Sequence, residues 1–206
     1  MKAIMISIKP EWVCKILNGE KTIEIRKTKP SCELPCKVYI YCTKLKKSFI
    51  DNKNYNLYKT EKNGEVTKFN GKVVAEFTLN KVDTIEICDP CVLRNGEQQD
   101  WHWFKSNACL DSEQIMSYIG YGNDHDGWGN EYAKGYAWHI DDLKIYDKPK
   151  ELSEFRKRNK CHYADYDEGC CFECCTFYDL GDCDGGYSEL ERPPQSWCYV
   201  EELENE

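Results

Sequence analysis

Short apolar runs of strand-like character recur along this chain, with few helical patterns between them. Residues 2–8, 38–42 and 73–79 are the clearest of these runs. Valine, isoleucine and tyrosine dominate them, as is typical of strands. Because the runs lack the long helical spacers of βαβ units, they predict an α+β protein built on a small barrel or twisted sheet with a few short helices.

A helix followed directly by a half-polar strand is predicted near the N-terminus. Pro10 suits the first turn of a helix and Gly19 supplies a stop, which together predict a helix over about 10–18. Residues 22–26 then alternate, with two isoleucines on one face and three polar residues on the other. This period predicts a strand with one buried and one polar face.

The polar residues around that strand have the chemistry of a ligand site. Lys21 follows a helix C-terminus, where backbone carbonyls favour a cation. Arg26 offers a planar fork for a phosphate or a base edge, and Glu24 accepts hydrogen bonds from a base amino group. Such a trio suits a nucleotide better than an apolar ligand. The alternative is a surface ion-pair ladder that only keeps the strand soluble.

The charge is divided unevenly along the 206 residues, although the net charge of −8 alone argues against a nucleic-acid partner. Residues 1–81 hold 17 lysines and arginines against 8 acidic residues, whereas residues 82–206 hold 11 against 28. A basic first half favours a surface that faces a polyanion, and the acidic second half is a candidate surface for a protein partner. The alternative is solvated lysines on loops.

The first 26 residues resemble the start of an ASCH domain, whose hallmark Gly-x-Lys-x-x-(Thr or Glu)-x-Arg matches residues 19–26. The resemblance continues through strands downstream and extends to uncharacterised ASCH-domain proteins of Firmicutes and their prophages. It implies a small PUA-like β-barrel over residues 1–160, with a loop insertion at about 44–70. An acidic Cys-rich insertion at 161–191 and a closing strand with an acidic tail at 192–206 complete the expected organisation.

The resemblance implies an RNA- or modified-nucleotide-binding protein, with a hydrolase in the same cleft as the alternative. Some relatives are amidohydrolases of an acylated cytosine nucleoside, and others are ribonucleases. Lys21 matches the first catalytic residue of the amidases, but Glu24 stands where they have threonine, and a carboxylate does not replace a hydroxyl nucleophile. Glu97 and Glu113 are candidates for their downstream glutamate. Catalysis, if present, is expected from Lys21 and Glu24.

Further ligand contacts are expected from a tryptophan–histidine pair in a later strand. Trp138 could stack on a base and His139 could hydrogen-bond to it, although the strand pattern favours a core tryptophan beside a satisfied histidine. The complete set of expected ligand-binding residues is Lys9, Lys21, Thr22, Glu24, Arg26, Trp138 and His139.

The fourteen cysteines are expected to be reduced, because no export signal precedes them. Near the C-terminus their spacing is that of a structural zinc site, with Cys161, Cys171, Cys174 and Cys183 as ligands. Thiols in a flexible acidic insertion are the alternative. A catalytic zinc is not expected, because no His-x-Glu precedes these cysteines. Cys88-x2-Cys91 is interpreted as a turn.

The remaining patterns exclude several other classes of protein. The glycine-rich residues 120–135 predict a loop and lack the Gly-Lys-Ser/Thr ending of a P-loop. No cofactor is required by any motif. No apolar run reaches the about 18 residues of a membrane span, so a cytoplasmic protein without a membrane partner is expected.

Overall fold

The computed structural model describes residues 2–44, 58–60, 66–88, 91–122, 124–125, 131–158 and 187–203. The helices within these ranges are α1 (Pro10–Leu17), α2 (Trp101–Ala108), α3 (Ser112–Ile119) and a 3-10 helix (Leu152–Glu154). The strands are β1 (Lys2–Ile8), β2 (Ile23–Arg26), β3 (Cys36–Cys42), β4 (Tyr58–Thr60), β5 (Val66–Lys68), β6 (Val73–Leu79), β7 (Val82–Cys88), β8 (Cys91–Arg94), β9 (Glu97–Gln99), β10 (Asp124–His125), β11 (Glu131–His139), β12 (Asp141–Lys150), β13 (Arg156–Arg158), β14 (Tyr187–Glu189) and β15 (Trp197–Glu201).

The chain divides into two compact units. The first comprises Met1–Pro10, Lys37–Glu76 and Tyr146–Glu206, and the second comprises Glu11–Cys36 and Phe77–Ile145. The first unit is organised by a mixed sheet in the order β12-β6-β3-β1-β15-β13-β14. In this sheet β1 pairs parallel with β3 and antiparallel with β15. Tyr39 and Phe155 pack edge to face in its core with ring centroids 4.9 Å apart.

The second unit carries the predicted ligand-binding strand. Its antiparallel sheet runs β10-β11-β7-β8-β9, and β2 pairs with β11. Helices α2 and α3 contribute to the core beneath β2, and each begins at an aspartate N-cap, Asp100 and Asp111. The buried members of this core are Ile23, Ile25, Ile85, Ile87, Val92, Phe104, Ala108, Ile115, Ile119, Ala133 and Ala137.

The α+β class expected from the sequence is confirmed, and so are the first helix and its following strand. The closure of the strands into a barrel stays a prediction, as do the three segments into which the chain was divided. Strands β4 and β5 pair antiparallel inside the insertion expected at 44–70. The loop expected over 120–135 is wrong in part, because β11 already begins at Glu131.

The sequence patterns did not predict α2. Only Phe104 and Ala108 of this helix are buried, an i, i+4 pair, and the partly buried Trp101 and Trp103 pack against the same core. The available signal was Asp100, whose side chain accepts a hydrogen bond from His102 N at 2.9 Å as an N-cap.

Among the residues that the structure describes, no helix is long and apolar enough to cross a membrane.

Candidate ligand-binding site

The alternation of β2 places its charged residues opposite a fully apolar face. Ile23 and Ile25 are 2% exposed and lie in the core with α2 and α3. Successive side chains of a strand point to opposite faces, so Glu24 and Arg26 lie on the other side. They are nevertheless buried, at 8% and 5% exposure. The alternative of a solvent-facing ion-pair ladder is therefore wrong, and Glu24 and Arg26 belong to a buried charge cluster.

The turn after α1 brings Lys21 to this cluster. Gly19 has a φ of +75°, the left-handed conformation that glycine adopts at little cost. The backbone N–H groups of Glu20 and Lys21 then both donate to the carbonyl of Lys15, at 2.9 and 3.1 Å. This tight reversal ends the helix and directs the chain straight into β2.

Lys21 is almost completely enclosed, at 2% exposure. Its Nζ donates to the carbonyl of Ala108 at 2.7 Å and lies 3.2 Å from Glu24 Oε2. The Ala108 carbonyl is the last of α2, so the cation also meets the negative end of that helix. The Trp12 ring centroid lies 5.6 Å from the same nitrogen. The sequence predicted a cation at the end of α1, and the structure places it at the end of α2.

Glu24 links the two cations. Its Oε1 lies 3.0 Å from an Arg26 terminal nitrogen and its Oε2 faces Lys21. A buried triad of this kind gains little stability over well-packed apolar residues, because removing three charges from water offsets most of their attraction. The triad carries two positive charges and one negative, and its net positive charge suits an anionic ligand.

Tyr118 joins this cluster from α3 and was not anticipated from the sequence. Partial burial raises the pKa of Tyr118, and so does the Glu24 charge, whereas the charge of Arg26 and its hydrogen bond to the phenol act against the rise. Tyr118 is 39% exposed, so it is an accessible member of an otherwise enclosed group. The sequence shows only that Tyr118 precedes the apolar Ile119 in a predicted helix. That pattern does not indicate a contact with Arg26.

Two further lysines, Lys27 and Lys29, lie beside aromatic rings. Lys27 Nζ lies 5.9 Å from the Tyr118 ring centroid, and Lys29 Nζ lies 5.9 Å from that of Tyr136. Tyr136 is directly opposite Arg26 in the β2–β11 register, which puts both side chains on one face of the sheet. We call the following residues the cation–aromatic cluster: Trp12, Lys21, Glu24, Arg26, Lys27, Lys29, Tyr118 and Tyr136.

Trp138 and His139 are separated by the period of β11. Trp138 lies opposite Glu24 in the register, is completely buried, and donates from Nε1 to the carbonyl of Thr28 at 3.3 Å. His139 follows it in the strand and so projects to the opposite face, where its Nε2 lies 2.8 Å from Asp83 Oδ2. The structure brings Trp138 to the side of the charge cluster and directs His139 away from it.

The other expected site residues lie outside the charge cluster. Thr22 is exposed, and its hydroxyl donates to Asn107 Oδ1 at 3.2 Å. Lys9 is also exposed and belongs to the first unit. Glu97 and Glu113, the candidates for a downstream catalytic glutamate, are exposed on β9 and in the first turn of α3.

The proposed zinc ligands Cys161, Cys171, Cys174 and Cys183 lie outside the described residues. Within the described part of the chain, no group of three or more histidine, cysteine, aspartate or glutamate side chains could hold a metal ion.

Asp83 is the centre of a second buried polar network. It is completely buried, and its carboxylate accepts a hydrogen bond from Asn95 Nδ2 at 2.7 Å and lies 3.0 Å from Lys81 Nζ. Asn95 has a φ of +53° and precedes Gly96 in the turn between β8 and β9. An Asn-Gly pair with positive φ at both residues is the favoured tight hairpin turn. The network therefore fastens that turn to β7 and has a structural role.

Acid is expected to weaken the fold through Asp83. Burial alone would raise the pKa of Asp83, but hydrogen bonds from His139, Asn95 and Lys81 outweigh it and lower the pKa to about 2. An unfolded aspartate titrates near 3.9. The stabilisation is therefore complete above about pH 4 and is lost as the pH falls towards 2, a change of about 2 kcal/mol.

Urea unfolding of the wild type and of Asp83→Asn measures this contribution. The difference in free energy of unfolding between the two proteins should shrink by about 2 kcal/mol between about pH 5 and about pH 2. A difference that stays constant over this range would contradict the lowered pKa of Asp83.

Comparison with known proteins identifies the fold. No protein-family model matches the chain, and no curated protein matches it. The crystal structure of ASCH from Zymomonas mobilis aligns with a TM-score of 0.50 and 16% sequence identity over 97% of this chain and 87% of that one. A mutant form of the same protein aligns over 98% and 91% with a TM-score of 0.47 and 16% identity. The alignment with a TM-score of 0.50 shows an ASCH-like α+β fold.

Proposed function

We propose that this protein binds RNA or a nucleotide through the cation–aromatic cluster. Two independent lines support the proposal: the ASCH-like fold, whose PUA-like relatives suggest ligands of this class, and the excess of basic residues in the first 81 positions. The two lines meet at β2, where the hallmark residues of the ASCH resemblance lie.

The observation that carries the proposal is the pairing of rings with cations. Trp12, Tyr118 and Tyr136 each have a lysine nitrogen within 6 Å of the ring centroid. Bases stack on aromatic rings while phosphates pair with lysine and arginine, so rings beside cations have the chemistry of a single-stranded nucleic-acid site. A purely structural set of ion pairs would not need the rings.

Glu24 would supply selectivity within such a site. A carboxylate accepts hydrogen bonds from exocyclic amino groups of bases, and the flanking Lys21 and Arg26 fix the Glu24 carboxylate in position. An anionic ligand would meet the net positive charge of the triad, and Tyr118, at the accessible edge, would offer the first stacking surface.

Binding is favoured over hydrolysis by the partners of Lys21. Acyl transfer or RNA cleavage at this site needs a nucleophile or a second carboxylate within hydrogen-bond reach of that lysine. The contacts described for its Nζ are the Ala108 carbonyl, Glu24 and the Trp12 ring. Glu24 itself is engaged with two cations, which disfavours its action as a base.

RNA binding is tested by fluorescence anisotropy with a labelled single-stranded oligonucleotide, and nucleoside monophosphates serve as competitors. Tyr118→Ala should weaken binding about tenfold, because one stacked base contributes about 1–3 kcal/mol. Lys27→Ala combined with Lys29→Ala should lower the slope of log affinity against log salt by about 0.7 for each phosphate that the variant no longer neutralises.

The matched control is Lys105→Ala, which removes an exposed lysine from the last turn of α2 without touching the cluster. Its affinity should equal that of the wild type. Absence of RNA and nucleotide binding by the wild type, or equal affinities for all these variants, would remove the proposal.

A further inference from the structure

The pairing of β7 with β8 places two thiols in contact. Cys88 and Cys91 are directly opposite each other in the register, and their sulfur atoms are 3.1 Å apart. Directly opposed residues of antiparallel strands have Cα atoms about 4.5–5.5 Å apart. That separation lies inside the range of about 4.4–6.8 Å that a disulfide spans, so the backbone is already set for a bond.

The dithiol is open to solvent on one side. Both cysteines are partly exposed, and Cys91 lines an open cleft of about 510 Å³. The other lining residues are Val92, Gln98, Gln99, Asp100 and Trp101. The volume is that of a small-molecule site. Two glutamine amides, which donate and accept hydrogen bonds, and an indole suit a short peptide-like molecule better than an apolar one.

We propose that Cys88 and Cys91 are a redox site, which forms an intramolecular disulfide by exchange with a small peptide disulfide such as oxidised glutathione. The Cys91 thiolate attacks one sulfur of the oxidant and releases one thiol, leaving a mixed disulfide in the cleft. Cys88 then attacks the Cys91 sulfur and releases the second thiol. Two protein thiols are oxidised, one external disulfide is reduced, and both protons pass to the released thiols.

A zinc ion fits this pair less well. Tetrahedral zinc with two bonds of about 2.3 Å holds its sulfur ligands about 3.8 Å apart and needs further ligands. The sulfur atoms here are 3.1 Å apart. The described residues offer no third ligand for a metal ion.

A second thiol pair in the described part of the chain serves as an internal comparison. Cys32 and Cys36 have sulfur atoms 3.5 Å apart, but Cys36 is buried and its pKa is raised strongly by that burial, with a smaller contribution from the Cys32 contact. Because the thiolate is the reacting species, this pair should exchange more slowly than the pair in the cleft.

The experiment uses the full-length wild type, mixtures of reduced and oxidised glutathione, alkylation of remaining thiols, and peptide mass mapping after trypsin digestion. The tryptic peptide 82–94 contains Cys88 and Cys91 and no other cysteine, and peptide 28–37 contains only the comparison pair. As oxidation proceeds, the fraction of peptide 82–94 that can still be alkylated at both cysteines should fall about tenfold faster than that of peptide 28–37. Added reductant should restore alkylation of both cysteines.

Single substitutions separate the two steps. Cys88→Ser should halt the reaction at glutathione attached to Cys91, and Cys91→Ser should acquire glutathione more slowly at Cys88. Both alkyl groups remaining on peptide 82–94 at excess oxidised glutathione would overturn the proposal. Equal oxidation rates for the two peptides would also overturn it, because the cleft would then give no advantage.

Discussion

Glu24→Gln is expected to lower the free energy of unfolding by about 3 kcal/mol, a large share of the stability of a domain this size. The substitution preserves volume but removes the anion between Lys21 and Arg26. Two cations at 2% and 5% exposure then remain without a compensating charge. The Ala108 carbonyl, 2.7 Å from Lys21 Nζ, offsets only part of that change. Urea unfolding followed by circular dichroism measures the difference.

The chain offers a matched control for this change elsewhere in the same sheet. Glu86 in β7 lies 3.1 Å from Lys134 in β11, but the two side chains are 29% and 45% exposed. Glu86→Gln should cost no more than about 1 kcal/mol, because solvent screens exposed pairs. Equal destabilisation of the two variants would mean that burial does not govern the Glu24 ion pairs, and the description of a buried triad would be wrong.

Local patterns in the sequence were sufficient to predict β2 and its surroundings. The stop at Gly19 and the strand that follows it depend on neighbours within a few positions, and both are confirmed. The half-buried character that the alternation predicted is wrong, because Glu24 and Arg26 on the polar face are buried as well. The sequence could not reveal that Lys21 is enclosed, because its partner Ala108 is 87 positions away. The same limit applies to Tyr118, which reaches Arg26 through the packing of α3.

The projection of Trp138 and His139 to opposite faces of β11 could have been deduced from the two-residue period of a strand alone. A pocket lined by both Trp138 and His139 was one candidate interpretation, yet adjacent residues of a strand project to opposite faces. The other interpretation, a core tryptophan beside a partnered histidine, agrees with the structure. His139 Nε2 lies 2.8 Å from Asp83 Oδ2 because β7 and β11 pair in one particular register. No local sequence pattern specifies that register. For the same reason the sequence indicates only a turn at Cys88 and Cys91, since the approach of their sulfur atoms depends on the β7–β8 pairing.

Replacing the whole triad by apolar residues should separate its stability from its function. In the variant Lys21→Met/Glu24→Leu/Arg26→Met no charge is left uncompensated. Apolar substitution of buried ionic triads is often neutral or stabilising. Removal of the hydrogen bond to the Ala108 carbonyl costs about 1 kcal/mol, so the free energy of unfolding should lie within about 1–2 kcal/mol of the wild type and above that of Glu24→Gln.

The RNA affinity of the triple variant, unlike its stability, should fall strongly. The triple variant lacks both enclosed cations and the carboxylate, so its affinity for the labelled oligonucleotide should fall at least about a hundredfold, since two hydrogen bonds to charged groups contribute about 1.5–3 kcal/mol each. Lys105→Ala again provides the unaffected reference. Wild-type affinity in a folded triple variant would place the RNA site elsewhere on the protein. If the triple variant is less stable than Glu24→Gln, the triad stabilises the fold. A charge cluster that serves only ligand binding can be replaced by apolar residues with little loss of stability.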